Sequence, residues 1–396
     1  MGTSVGVGHS INRNPAAAGK EAAHRALEQA GISAPDFILV FATVGYDQQQ
    51  LIASIRDATA GAPLCGCSGE GIITRETFAE TNFAVCVMAV ASDEIRFEAA
   101  CVKGIDRKAD DAGDRLAKQL KPLLAPDTRA CFLLADGLVF NFDPFLASFE
   151  RALGREEPLP ILGGLAADNW ALQKTYQYFN DEVISEGIVS FIMSGSAEIT
   201  WGINHGCVPV GTKRTITRCE GNIIREIDGI PALDALKEYL DADWMSQWNK
   251  SSLNLCLGFK TPEHIRQGYE EHVIRYMMGK NDEEGYVTIQ SEVTEGTELW
   301  IVRRDKQLIS SGMAAISRQL QDKLAERKPK FILQFECVGR GKVVFLESEK
   351  SALISSLQRE LGSDVPWIGF YTYGEIGPIS SYNCFHNFTA VVAAVY

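Results

Sequence analysis

The sequence is short of positive charge. Its 396 residues carry 38 lysines and arginines against 51 aspartates and glutamates, a formal net charge of -13. Duplex nucleic acid demands a dense cationic face, so that balance excludes it as an expected partner, and an anionic membrane surface is disfavoured for the same reason. No apolar run approaches the roughly 20 residues of a membrane span. The opening MGTSVGVGHSINRNP lacks a basic stretch followed by an apolar one, so a secretory leader is not expected and a cytoplasmic location is. Catalytic and metal signatures are equally scarce. There is no H-E-x-x-H, the only G-x-S-x-G string, GTSVG at 2–6, is not set in a strand-to-helix turn and so makes no nucleophile elbow, and Cys65 and Cys67 form C-x-C with no second pair to complete a four-ligand set. The ten cysteines are scattered, several inside apolar stretches such as NFAVCVMAV, where a thiol behaves as a small hydrophobe. Free thiols in a reducing compartment are the expectation.

What the chain does have is an internal repeat. DFILVFAT (36–43) leads through QQQLIASIRDATAG to APLCGCSGEGII and then to NFAVCVMAV. The pattern returns as ACFLLADG, PFLASFERALG, LPILGGLAADN and GIVSFIMSG, and again as KFILQFECVGRG, SALISSLQREL, VPWIGFYTYGEIGP and NFTAVVAAVY. Each copy reads strand, crossover helix, short strand opened by a proline, glycine-rich turn, strand. Strands joined through a helix of about three turns run parallel, because the helix returns the chain to the same edge of the sheet. GTKRTITRCEGNIIREIDG and GYVTIQSEVTEGTELWIVRR instead alternate polar and apolar residues around glycines, as antiparallel hairpins do. The expected fold is therefore α/β, with mixed sheets built from repeated strand-helix-strand units, in two tightly packed halves with antiparallel hairpins in the second. Two copies fall in the first half and one in the second, which predicts domains at 1–195 and 196–396. Helices are predicted at NPAAAGKEAAHRALEQAG, with Asn14 as N-cap, Pro15 first and Gly31 just past the end, and at DGIPALDALKEYL, where Leu233, Leu236 and Leu240 form one stripe.

Each repeat's glycine turn carries an acid: Glu70, Asp168 and Glu375. Such turns at the carboxyl ends of parallel strands are where open α/β sheets bind ligands, so the acids are candidates for holding a ligand's amino group; alternatively they cap their own backbone. Glu375 stands among Phe370, Tyr371 and Tyr373 and needs a partner to offset its desolvation. In FECVGRGK the phosphate-loop pattern fails at Glu336, where glycine is required. Arg340 is the better candidate there, its planar fork suiting a ligand carboxylate or else a structural acid. Cys337 is a candidate nucleophile, or a buried thiol. Among the histidines, His205 stands apart in GINHGCVPVG: it ends a strand between glycines, and Lys213, Arg214 and Arg218 follow. One imidazole, an apolar slot and cations for two propionates are what a five-coordinate haem asks of a protein.

Taken together, GCSGEGI, PILGGLAADN, HGCVPVG with EIDGIPALDALKEYL, FECVGRG and GFYTYGEIGP resemble the FIST family of bacterial sensory proteins over nearly the whole chain, as an N-terminal FIST region followed by its C-terminal partner. The resemblance implies non-catalytic sensing of a small ligand inside the cell, coupled to two-component signalling. Amino acids are ligands proposed for the family. Stand-alone members of about this length look like the NosP group, in which haem b binds nitric oxide and a separate histidine kinase or a diguanylate cyclase/phosphodiesterase is regulated. By that likeness His205 is the iron ligand, with Lys213 and Arg214 beside the cofactor, and a homodimer is possible. The competing expectation is an amino-acid sensor in which Arg340 or turn N–H groups take the carboxylate and Glu375 or Asp168 the ammonium. A thiol enzyme using Cys337 is a third.

Overall fold

The computed structural model describes residues 2–105, 109–239, 248–263, 265–266 and 269–396; Leu240 and His264 lie outside these. The first predicted helix forms at Pro15–Ala30, where the Asn14 side chain accepts from Ala17 N–H and Gly31 closes it at φ 66°.

The apolar runs of the three repeats are continuous because both faces of their strands are buried. In the first, Phe37, Leu39 and Phe41 point to the middle of the molecule, while Ile38, Val40 and Ala42 pack under helices Pro15–Ala30 and Gln48–Ala58. In the second, Ala130, Phe132 and Leu134 point to that same middle, and Cys131, Leu133 and Ala135 to helices Ala109–Leu120 and Phe142–Leu153. In the third, Phe331, Leu333 and Phe335 do so, and Ile332 packs beneath Lys306–Leu324 and Glu347–Glu360.

The structural unit is larger than the repeat seen in the sequence. Each unit is a four-stranded sheet with two helices, and the strand order is the same in all three. The first runs Thr3–Ser10, Val85–Ser92, Phe37–Ala42, Leu64–Ser68; the second Ile95–Lys103, Gly187–Gly195, Thr128–Ala135, Ile161–Leu165; the third Ile199–Asn204, Ala390–Val395, Phe331–Cys337, Trp367–Thr372. In each, the helix-linked pair is parallel and its neighbours antiparallel, so the sheets are mixed.

The glycine turn after each second parallel strand carries the chain out of its own sheet and onto the next. Ile72–Thr74 pairs with Trp367–Thr372, Gln177–Phe179 with Leu64–Ser68, and Glu375–Ile379 with Ile161–Leu165. The first unit thus reaches the third, the third the second, and the second the first, which closes a ring with a threefold pattern. Rings from different units meet at its centre: Phe41 stacks on Phe370 at 4.4 Å and Phe37 packs on Phe191 at 5.0 Å.

The expected hairpins belong to an insertion. Between strand Ile199–Asn204 and helix Lys306–Leu324 the third unit carries a curled antiparallel sheet, from Cys207–Glu220 to Glu298–Arg304, with its own core of Ile216, Ile224, Leu236, Leu257, Val287 and Ile301. No helix among the described residues is long and apolar enough to cross a membrane.

Because Phe370 joins the third unit to the first, Phe370→Ala should cost about 3–5 kcal/mol of unfolding free energy in a urea titration, as a large cavity in a shared core does. A loss below about 1 kcal/mol would show that the central contact does not hold the ring.

Candidate functional site

His205 lies where the insertion leaves the ring. It is buried, and both of its ring nitrogens are engaged: Nδ1 accepts the Cys207 N–H at 2.8 Å, and Nε2 lies 2.9 Å from Glu270 Oε2. The other Glu270 oxygen accepts the His205 N–H at 2.9 Å and the Asn204 side chain at 2.6 Å. Burial alone would raise the Glu270 carboxyl, but the hydrogen bonds from His205 outweigh it and hold it below the ordinary value. Arg340 completes this network. Its guanidinium, fully buried, pairs with Glu336 at 2.7 Å and donates to the Asn204 and His205 carbonyls. Arg340 and His205, assigned to competing ligands in the sequence, therefore meet in one clamp between ring and insertion.

The residues do not fit haem. Neither imidazole nitrogen of His205 is open to iron, and the cations following it run away along strand Cys207–Glu220, which at about 3.3 Å per residue puts Lys213 roughly 20 Å beyond Cys207. Lys213 pairs with Glu298 at 2.5 Å, and Arg214 with Asp228 and Glu238. Among the described residues no group of three or more His, Cys, Asp or Glu side chains could hold a metal ion.

The three turn acids mark the three crossings of the ring and are satisfied differently. Asp168 accepts N–H bonds from Leu172, Gln173 and Lys174 and the Tyr373 hydroxyl at 2.7 Å, so it caps its own loop. That cap holds a strained turn in which Asn169, Trp170 and Leu172 all have positive φ. Glu375 is fully buried and has hydroxyl and amide partners, Thr372 and Thr389, without a cation; burial pushes it up to about 8. Glu70, also fully buried, has Lys342 Nζ 3.2 Å from Oε1 while Oε2 has no partner; burial pushes it up to about 7.

A mainly apolar two-lobed cleft lies at the carboxyl ends of the parallel strands of the second and third units, roofed by the insertion. An inner lobe of about 230 Å³ is walled by Leu138, Trp170, Tyr276, Cys337, Tyr373 and Phe388 among others. An adjoining outer lobe of about 450 Å³ shares Trp170, Leu172, Leu253 and Tyr276 and adds Asn254, Arg304, Lys342 and Val343. Cys337 is the only wall residue that the sequence singled out for chemistry, and burial pushes its thiol well above the ordinary value. Trp170, Arg304 and Lys342 were missed, although Lys342 closes the FECVGRGK string and the glycine turns of the second and third repeats do point to this end of the sheets.

This ring of repeats with its inserted sheet defines an α/β protein with a ligand-sized cleft. Residues 36–230 match the FIST N domain and residues 232–378 the FIST C domain, so the chain belongs to the FIST family, whose domains are in general sensory domains for small ligands. An uncharacterized protein of Mycobacterium tuberculosis is 25% identical over 404 residues, covering 98% of both chains, and one of Mycobacterium bovis is 25% identical over 410 residues at the same coverage. Among solved structures, a chorismatase is similar at a TM-score of 0.37 with 10% identity, over 100% of this chain and 99% of that one, which is too distant to carry an argument.

Two outcomes follow from the buried acids. Between the ordinary carboxylate value and about 8 the folded chain holds a proton on Glu375 that the unfolded chain has released, so this group costs stability as pH rises through that window. Glu375→Gln should melt close to wild type at pH 5 and be more stable by on the order of a few kcal/mol at pH 8; a difference that does not change with pH would refute the assignment. His205→Ala strips Glu270 of its ring partner and should cost about 2 kcal/mol in urea unfolding at pH 7. That cost should shrink as pH falls through the depressed Glu270 value, below which the carboxyl is protonated with or without His205.

Proposed function

We propose that the protein is a haem-free small-ligand sensor without catalytic activity, working in the cytoplasm, whose ligand occupies the cleft between the ring and the insertion. The observation that carries this reading is the position of the cleft. One wall is formed by the turns at the carboxyl ends of the second and third units and the other by the insertion, so a ligand there touches both bodies at once. A ligand that binds one seating of the insertion better than another shifts the equilibrium toward it, which is all a sensor requires. The Glu270–His205 clamp sits at the root of the insertion, where such a shift is passed on. The partner that reads it is a separate signalling protein, such as a histidine kinase or a diguanylate cyclase/phosphodiesterase. Burial keeps Cys337 a thiol, which favours binding over thiol chemistry at this wall.

A thermal-shift screen of metabolites against the wild-type chain and Leu253→Trp tests the site. True ligands should raise the melting temperature of the wild type and leave Leu253→Trp, whose indole fills the shared part of the cleft, unmoved. Equal shifts in both proteins would place the ligand elsewhere. Protein expressed with haem precursor should show no Soret band; a band that disappears in His205→Ala would overturn the haem-free reading.

A further inference from the structure

In a chain of net charge -13, the cleft is locally cationic. Among the described residues on its walls, the charged side chains are Arg304 and Lys342, and no carboxylate lines either lobe. Arg304 is held in place at the end of the insertion's last strand, donating to the Gly339 carbonyl and to Asn254 Oδ1 and lying 5.4 Å from the centre of the Phe388 ring. A guanidinium has five N–H donors, so donors remain for a ligand. The Trp170 indole N–H, on the wall common to both lobes, is buried and has no partner. Arg304, Lys342 and the Trp170 indole thus offer hydrogens to the cleft; a ligand that matches them brings acceptors.

Lys342 joins this wall to a buried acid. Its side chain is 45% exposed and lines the outer lobe, and its ammonium reaches Glu70 Oε1, whose side chain is fully buried and whose other oxygen is unpaired. We propose that the cleft takes a small organic anion, a carboxylate on a flat apolar body, which draws Lys342 away from Glu70 and leaves Glu70 to take a proton from solvent. This rests on the cleft being the ligand site. The apolar body fits the inner lobe of Trp170, Tyr276, Tyr373 and Phe388, and the carboxylate fits between Arg304 and Lys342. An amino acid fits less well, because its ammonium finds no carboxylate on these walls.

The proton follows from what surrounds Glu70. The groups facing it are Lys342 from the loop after Phe331–Cys337, Glu80 from the loop after Ile72–Thr74, and Tyr373 from the third unit's turn; behind Glu80 stand Lys350 and Tyr371. Burial and the Glu80 charge raise the Glu70 carboxyl to about 7 even with Lys342 beside it, and Lys342 is the main influence opposing them. Removing that cation raises Glu70 further, so binding takes up protons near neutrality and weakens as pH rises above about 7.

Calorimetry on the full chain at pH 7.5, in HEPES and in Tris, with indole-3-acetate and 2-naphthoate, their neutral amides, and tryptophan, decides the matter. The carboxylates should bind with uptake approaching one proton, and the amides and tryptophan at least about tenfold more weakly. Lys342→Met should weaken the carboxylates about tenfold. Glu70→Gln, which frees Lys342, should bind them at least as tightly as wild type but without proton uptake. Amides or tryptophan binding as tightly as the carboxylates, or carboxylates binding with no proton exchange, would overturn the inference while leaving the cleft as the site, provided Leu253→Trp abolishes binding. Carboxylate binding that survives Leu253→Trp overturns the cleft reading itself, and a failure of all the probes to bind overturns the inference and leaves the cleft to the metabolite screen.

Discussion

The three sheets share one apolar centre, and none of them is completed by its own stretch of chain. Each gives a strand to a neighbour through its glycine turn and receives one in return, so the centre stays dry only when all three exchanges are made. That mutual completion explains why the crossings are built from close-approach residues. A Cβ on Gly164 would come within 2.6 Å of Thr372, and one on Gly69 within 2.9 Å of the Phe370 ring. Glycine at these turns is a demand of backbone meeting neighbour, and the cleft forms beside two of the three crossings as a by-product of the same geometry.

The strand-helix-strand units were legible because burial on both faces leaves an unbroken apolar run, which few other settings produce. The first unit's outer helix was legible from its caps, but the outer strands, and the outer helices of the other two units, were not, and the third pair is split by the insertion, which places Ile199–Asn204 and Lys306–Leu324 in one unit across a foreign sheet. The cap at Asp168 was readable, because an acid followed by a turn bonds its own backbone. The partner of His205 was not. Glu270 is brought to it by the insertion's fold, and nothing near HGCVPVG announces a carboxylate. Arg340 found its structural acid four residues back in the same string, at Glu336. Glu375 received hydroxyls instead of a cation, which burial makes compatible with a protonated acid.

The three turn acids show how one position in a repeat diverges in chemistry while the backbone stays the same. Asp168 is short enough to bond its own loop, Glu375 reaches threonines on two strands, and Glu70 reaches a lysine that also faces open space. Only the last of these arrangements leaves a charge pair that an incoming molecule can compete for. The asymmetry comes from the loops around the turns, since Lys342 follows the third unit's strand and Glu80 the first unit's crossing strand.

The exchange of strands also sets the order of events during synthesis. Ile72–Thr74 finds its partner at Ile368–Phe370, and the strand Ala390–Val395 lies inside the third sheet, between Ile199–Asn204 and Phe331–Cys337. The first unit therefore waits on the ribosome with an unpaired crossing strand and an uncovered aromatic face until some three hundred further residues have emerged. Its nascent form presents the edge and the apolar surface that chaperones recognise and that neighbouring chains aggregate upon. The closed ring protects its centre well, but only a completed chain can close it.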